Sequence, residues 1–132
     1  MEATTFRRLL AGALGAVWVF HGGYSKLLNG IPRHRRIVER VLGPDLAPVA
    51  TSTIGLGEVL LGLWVWSGRR RRACALTQTL ALAGMNTAEI AQAKDLLISA
   101  PGMLALNAAF LALAWFWASP APNERAAAVR KE

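Results

Sequence analysis

The sequence predicts an all-α fold: a four-helix transmembrane bundle with a short interfacial helix between the first and second spans. Apolar residues make up 54% of the 132 residues, and the charges are concentrated between long apolar segments. Residues 46–68 contain one charged residue, Glu58, and residues 96–123 contain none. A bilayer core about 30 Å thick requires roughly 20 mostly apolar residues in a helix. Four segments meet this requirement, at about 9–28, 47–67, 73–93 and 98–118.

Two alternatives to this bundle are disfavoured by the sequence. A soluble four-helix bundle needs a polar stripe on each helix, and residues 103–117 have no polar face. A signal peptide would explain Arg7 and Arg8 before the first apolar segment. However, that segment runs into residues 21–26 without a small-x-small cleavage site, so we expect the first helix to be retained.

The segment between the first two spans predicts a short amphipathic helix over residues 33–43. Pro32 is suited to open this helix and Gly43 to close it. Its apolar residues recur at helical spacing, which favours either a position in the membrane interface or a cap over the mouth of the bundle. In the interfacial position, its basic side chains would contact lipid phosphates: Arg33, Arg35, Arg36 and Arg40. Membrane lipids are therefore expected partners.

The basic residues also predict the orientation. With four spans, both termini and residues 69–72 share one side, which carries nine of the 15 lysines and arginines, and the other side carries six. Cytoplasmic loops are enriched in Lys and Arg, so both termini are expected in the cytoplasm. Residues 1–118 would form the transmembrane domain, and residues 119–132 a flexible cytoplasmic tail. The net charge of +7 is explained by this orientation, and no nucleic-acid partner is expected.

Polar residues within the spans are the candidate site. Ionisable groups are costly in hydrocarbon and usually face the bundle interior. At 1.5 Å per residue, polar side chains from all four helices fall between the midplane and the non-cytoplasmic surface. Helical spacing places Tyr24 on the same face as His21. The candidate ligand-binding or polar-core residues are His21, Tyr24, Glu58, Asn86, Glu89 and Asn107.

The roles of these residues stay open at this stage. Glu58 either locks helices together by hydrogen bonds or serves a ligand or a proton. His21 can pair with Glu58 or Glu89. Lys26 is expected to extend to the surface, or to neutralise Glu89 or Asp95. No metal site is expected, because the chain has no dense histidine motif and no Glu-x-x-His motif.

Several short motifs resemble those of DoxX-like membrane proteins. Residues 18–28 resemble the end of the first helix of that family, and residues 54–63 resemble its second helix, in which glycines frame an acidic residue. Residues 88–90, residues 95–97 and Asn107 are similar to its later part. The resemblance covers about residues 6–118. It implies a compact four-helix bundle in the bacterial inner membrane, and some members are linked to quinone-coupled thiosulfate oxidation or to membrane redox complexes.

Three hypotheses about function follow. The first is a protein that binds a small apolar ligand or a partner protein in a bundle pocket, as a subunit of a membrane redox complex; a quinone or a lipid-like molecule is the expected ligand. The second is a quinone-reactive or proton-transferring oxidoreductase subunit that uses Glu58 and His21. The third is a small transporter, which would need to form a homo-oligomer. Whether the chain is an enzyme stays open, and its single cysteine argues against electron transfer by this chain alone.

Overall fold

The computed structural model describes residues 2–132 and confirms the all-α class, with six α-helices and no strand in that part of the chain. A π-helical segment, Phe20–Leu27, continues the first helix directly, and a 3₁₀ turn, Lys94–Leu96, precedes the fifth. The α-helices are α1 Glu2–Val19, α2 Pro32–Leu42, α3 Ala47–Ser67, α4 Arg71–Gln92, α5 Ala100–Ala118 and α6 Pro122–Val129.

Helix ends follow the local sequence. Pro32 occupies the first turn of α2. Backbone N–H groups there have no acceptor within the helix, so the missing N–H of proline costs no hydrogen bond. Gly43 follows α2 with φ 89°, a conformation that glycine adopts without steric cost. The side chain of Ser99 caps α5 by accepting a hydrogen bond from the backbone N–H of Gly102. The tail, expected to be flexible, contains α6, whose first turn is stabilised by a bond from the Ala121 N–H to Glu124.

Helix α3 makes the most extensive helix contacts in the structure, with α1 and with the π-helical segment that continues it. Glycines bring the two backbones together: a Cβ on Gly55 would lie 2.8 Å from the carbonyl oxygen of Gly22, and a Cβ on Gly62 would lie 2.7 Å from that of Gly15. No Cβ can occupy such positions without movement of the backbone. Small residues at these crossings allow the close approach typical of apolar helix pairs.

Helices α4 and α5 form the second closely packed pair. At one end of the bundle, both pairs meet in an apolar core. The indole of Trp18 lies in this core and donates a 2.9 Å hydrogen bond to the side-chain oxygen of Gln78, which satisfies two buried polar groups. The core includes Leu14, Trp18, Val65, Ala75, Ala114 and Trp117.

Arg7 joins the first and fifth helices at the same end. Its guanidinium donates to the carbonyl oxygens of Phe116 at 2.9 Å, Trp117 at 3.1 Å and Ser119 at 2.6 Å. These carbonyls belong to the end of α5, where the helix leaves acceptors unpaired and where its dipole favours a cation. The guanidinium also lies 4.7 Å from the centre of the Phe116 ring.

Within residues 2–132, two helices are both long enough and apolar enough to cross a membrane, α3 and α5. The predicted four-span bundle is therefore not confirmed. Helices occupy the segments predicted as the first and third spans, but α1 carries charges near its start and α4 is less apolar. The two apolar helices are also poorly buried, since only 11% of the span window of α5 lies inside the fold.

Candidate ligand-binding cavity

A cavity of about 620 Å³ lies between the α1/α3 pair and the α4/α5 pair, with α2 beside its polar end. This volume is in the range of small-molecule sites. Apolar side chains from α1, α4 and α5 form much of its wall, including Val17, Trp18, Leu82, Met85, Met103, Leu106 and Phe110. Its polar lining groups are Lys26, Arg33, His34, Glu58, Asn86, Glu89, Asn107, His21 and Ser99.

An ion pair between Lys26 and Glu58 borders the cavity. The Lys26 ammonium donates to both carboxylate oxygens, at 2.9 and 2.8 Å, and the two side chains are 10% and 7% exposed. The sequence suggested that Lys26 extends to the surface or pairs with Glu89 or Asp95. In the structure it does neither, because its ammonium is bonded to Glu58. The π-helical segment explains the difference, because its i to i+5 bonding changes which residues share a face.

His21 and His34 meet at the cavity wall. Their rings stack with centroids 5.9 Å apart, and the Ser25 hydroxyl is hydrogen-bonded to Nδ1 of His34. Burial lowers the pKa of His34 to about 4, helped by the positive charge of Lys26, so the ring is neutral at pH 7. Within residues 2–132, His21 makes no hydrogen bond to Glu58 or Glu89, the pairings suggested from the sequence.

The remaining predicted residues divide into two groups. Asn107 donates a 2.9 Å hydrogen bond to the side-chain oxygen of Asn86, which joins α5 to α4 at the cavity wall. Glu89 also lines the cavity. Tyr24 does not: it is 50% exposed and stacks on Phe20 with ring centroids 5.3 Å apart. The spacing argument that placed Tyr24 with His21 assumed an α-helix, whereas this segment is π-helical.

The arginines of α2 have different surroundings. Arg33 lines the cavity, and Arg36 is exposed. Arg40 forms a two-pronged bond to the Asp95 carboxylate, at 2.7 and 3.1 Å, and this bond lowers the pKa of Asp95. This ion pair connects α2 to the turn before α5. Contact of Arg33, Arg35, Arg36 and Arg40 with lipid stays a prediction.

Sequence reasoning missed several contributors to the cavity, among them His34 and Met103. His34 lies outside the predicted spans, so a search for polar residues inside apolar segments excludes it. Met103 is one of many apolar residues in α5, and nothing in its local sequence indicates which way it faces. Within residues 2–132, no three His, Cys, Asp or Glu side chains come together in an arrangement suited to a metal ion.

The fold and the cavity define a class: helical bundles with long apolar helices and an amphipathic internal cavity. The model of the DoxX-like family matches residues 15–115, which is most of the chain. The protein therefore belongs to the DoxX-like family, and this membership together with α3 and α5 indicates a membrane protein. Searches of curated proteins and of solved structures gave no match.

Proposed function

We propose that this DoxX-like protein crosses the membrane four times and binds a small amphipathic molecule in the cavity between its helix pairs. The ligand has an apolar body and a hydrogen-bonding head, as a quinone or a lipid-like molecule does. The observation that carries the proposal is the two-sided chemistry of the cavity: apolar walls from α1, α4 and α5 lead to a polar end at Lys26 and Glu58.

The four-span topology is supported by the distribution of charge and of exposed apolar surface. Residues 9–25 contain no charged residue, and residues 73–93 contain only Glu89. Large apolar side chains are exposed on several helices, for example Leu9, Val49 and Leu80, at 69%, 72% and 64%. Contact of these side chains with hydrocarbon carries no free-energy cost, whereas their exposure to water does. The arginine distribution then favours cytoplasmic termini in a bacterial inner membrane.

Charge balance favours an uncharged head. Among residues 2–132, two cationic groups line the cavity, Lys26 and Arg33, and two carboxylates, Glu58 and Glu89. Their formal charges cancel, and a further buried charge would need a partner that this set does not supply. Carbonyl oxygens of an uncharged head can accept hydrogen bonds from Arg33 or Asn86 without disturbing the ion pair.

A second candidate function is proton transfer to a bound quinone within a membrane redox complex. It is favoured by the positions of Glu89 and His21, which line the cavity and have no hydrogen-bond partner for their side chains within residues 2–132. Such groups are able to exchange protons with a ligand. In this function the electrons come from a partner protein, and the chain supplies the binding site and the proton.

The test compares a variant with a tryptophan in the cavity with a control that carries a tryptophan on the exposed face of the same helix. Met103→Trp places an indole in the cavity, whereas Leu104→Trp places one on the exposed face of the same helix, where Leu104 is 45% exposed. Each protein is purified in mild detergent, and co-purifying quinones and lipids are quantified by mass spectrometry. We expect the ligand with wild type and with Leu104→Trp but not with Met103→Trp. Equal ligand content in all three proteins would overturn the proposal.

Glu58→Gln gives an independent measurement at the polar end of the cavity. The change removes the charge that holds the Lys26 ammonium but keeps the size of the side chain. We expect this variant to retain less ligand, because the freed ammonium reorganises the polar end of the cavity. Circular dichroism establishes that the variant is still helical.

A further inference from the structure

A second space, of about 400 Å³, lies between α3 and α4. We call it the α3/α4 groove. Apart from Glu58 and Thr77, every residue with a side chain in its lining is apolar. The lining consists of Trp18, Ile54, Gly57, Glu58, Leu60, Leu61, Trp64, Thr77, Ala81 and Met85.

The groove adjoins the main cavity. Trp18, Glu58 and Met85 line both spaces, so these three side chains form the partition between them. Two of the three are fixed: the Trp18 indole is bonded to Gln78, and the Glu58 carboxylate is bonded to Lys26. Met85 has no such bond within residues 2–132, and the methionine side chain is flexible and adapts to apolar neighbours.

The groove also opens to the outside of the bundle. Gly57 and Thr77 are exposed, and Leu60 is 56% exposed. α3 is one of the two helices that are apolar and long enough to cross a membrane. On a chain that spans the bilayer, this opening faces hydrocarbon at the depth of Glu58. A space that joins the bilayer interior to a buried polar group suits the chain of an amphipathic molecule.

We propose that the α3/α4 groove receives the hydrocarbon tail of the ligand whose head occupies the main cavity. The ligand is therefore a molecule with an uncharged polar head and a linear chain, which passes Met85 and leaves the bundle laterally between α3 and α4. This inference rests on the proposed function, since it assigns a second part of the same ligand to a second space.

Gly57 provides the sharpest test. It lines the groove but not the main cavity, and nothing lies within 4 Å of a Cβ built there, so Gly57→Leu fills the groove without a backbone clash. Gly84→Leu is the matched control: Gly84 is exposed on α4, lines neither space and also has nothing within 4 Å of its Cβ. Thr77→Leu fills the groove from α4 and serves if Gly57→Leu fails to fold.

Two probes separate the head from the tail. Duroquinone has a quinone head and no chain, and decylubiquinone carries a ten-carbon chain. Binding to the full chain in lipid nanodiscs is followed by quenching of tryptophan fluorescence. We expect Gly57→Leu to weaken decylubiquinone binding about tenfold, the effect of displacing about two buried methylenes, and to change duroquinone binding less than about twofold. Gly84→Leu should leave both affinities at the wild-type value.

The outcomes separate this inference from the proposed function. If both probes bind wild type and Met103→Trp abolishes their binding, the cavity binds the head. Equal affinities of Gly57→Leu and Gly84→Leu for decylubiquinone would then overturn the groove alone. If Gly57→Leu weakened the binding of duroquinone and of decylubiquinone equally, the inference would also be overturned, because the groove would not be specific for the hydrocarbon chain. If neither probe binds wild type, the proposed function fails and the groove assignment fails with it.

Discussion

The two faces of α3 differ in how closely they meet their neighbours. Towards the π-helical continuation of α1, a Cβ on Gly55 would lie 2.8 Å from a backbone oxygen, so there is no room for a single added carbon. Towards α4, nothing lies within 4 Å of a Cβ on Gly57, and a space of about 400 Å³ separates the helices. The same helix therefore takes part in a contact that is fully closed and in one that is open.

In this small bundle, α3 therefore combines a fixed interface on one side with an open space on the other. The interface of α3 with α1 and its π-helical continuation carries the close glycine crossings and the Lys26–Glu58 ion pair, so it fixes the polar end of the cavity. The α3/α4 interface contributes few contacts and leaves space. Rigid positioning and adaptable volume are thus supplied by opposite faces of one helix.

Removing one partner of the ion pair tests the closed interface most severely. Lys26→Met leaves the Glu58 carboxylate buried without its cation, and we expect a loss of about 3–5 kcal/mol in the free energy of unfolding. The measurement is reversible unfolding in mixed micelles of mild detergent and SDS.

The control for this change is the double variant Lys26→Met with Glu58→Met. It removes both charges, so most of the lost stability should return, because no uncompensated charge stays buried. A double variant as unstable as Lys26→Met alone would show that the pair is not what holds this end of the interface.

A methyl group added at each of the two interfaces of α3 compares these interfaces directly. Gly22→Ala, opposite Gly55, would place a Cβ 2.8 Å from the Val59 backbone nitrogen, so we expect destabilisation of about 1–3 kcal/mol. Gly57→Ala adds the same methyl in open space and should be neutral or stabilise by about 0.5–1 kcal/mol, through lower backbone entropy of the unfolded chain. Unfolding in the same micelles gives both values, and equal losses would show that the interfaces do not differ.

A smaller effect is expected from pH at α2. The pKa of His34 falls from 6.5 to about 4 in the folded protein, so between these values the unfolded chain binds a proton that the folded chain does not. Stability from this group is full above pH 6.5 and is lost as the pH falls towards 4. Thermal unfolding at pH 7.5 and 5.0 should show a smaller pH dependence for His34→Gln than for wild type. If His34→Gln and wild type showed the same pH dependence of thermal unfolding, the His34 ring would not be buried in its neutral form.

Periodicity and charge predicted the all-α class, because charge-free stretches of this length have few other solutions. They also pointed to polar residues that line the same cavity, such as Glu58 and Asn107. An isolated polar group in an apolar environment is costly, and this cost does not depend on how the helices pack. The glycines that flank Glu58 leave the backbone of α3 open to contact with the first helix, because they carry no side chain.

What the sequence could not supply was the local geometry after Val19. The sequence did not predict the π-helical segment, and this segment decides that Lys26 faces the cavity and that Tyr24 does not. The cavity itself depends on the separation of two helix pairs, which is a property of tertiary packing. His34 lines the cavity because α2, which connects the first and third helices, packs beside it. The pattern of the apolar segments contains no information about the position of this connecting helix.

The attachment of Arg7 to the end of α5 has a consequence for biogenesis. A guanidinium that sits beneath the last turn of the fifth helix finds its acceptors only after Phe116, Trp117 and Ser119 have left the ribosome. Until then, α1 carries a cation that has not yet met these carbonyls. Closure of this end of the molecule therefore waits until the whole of α5 has been synthesised.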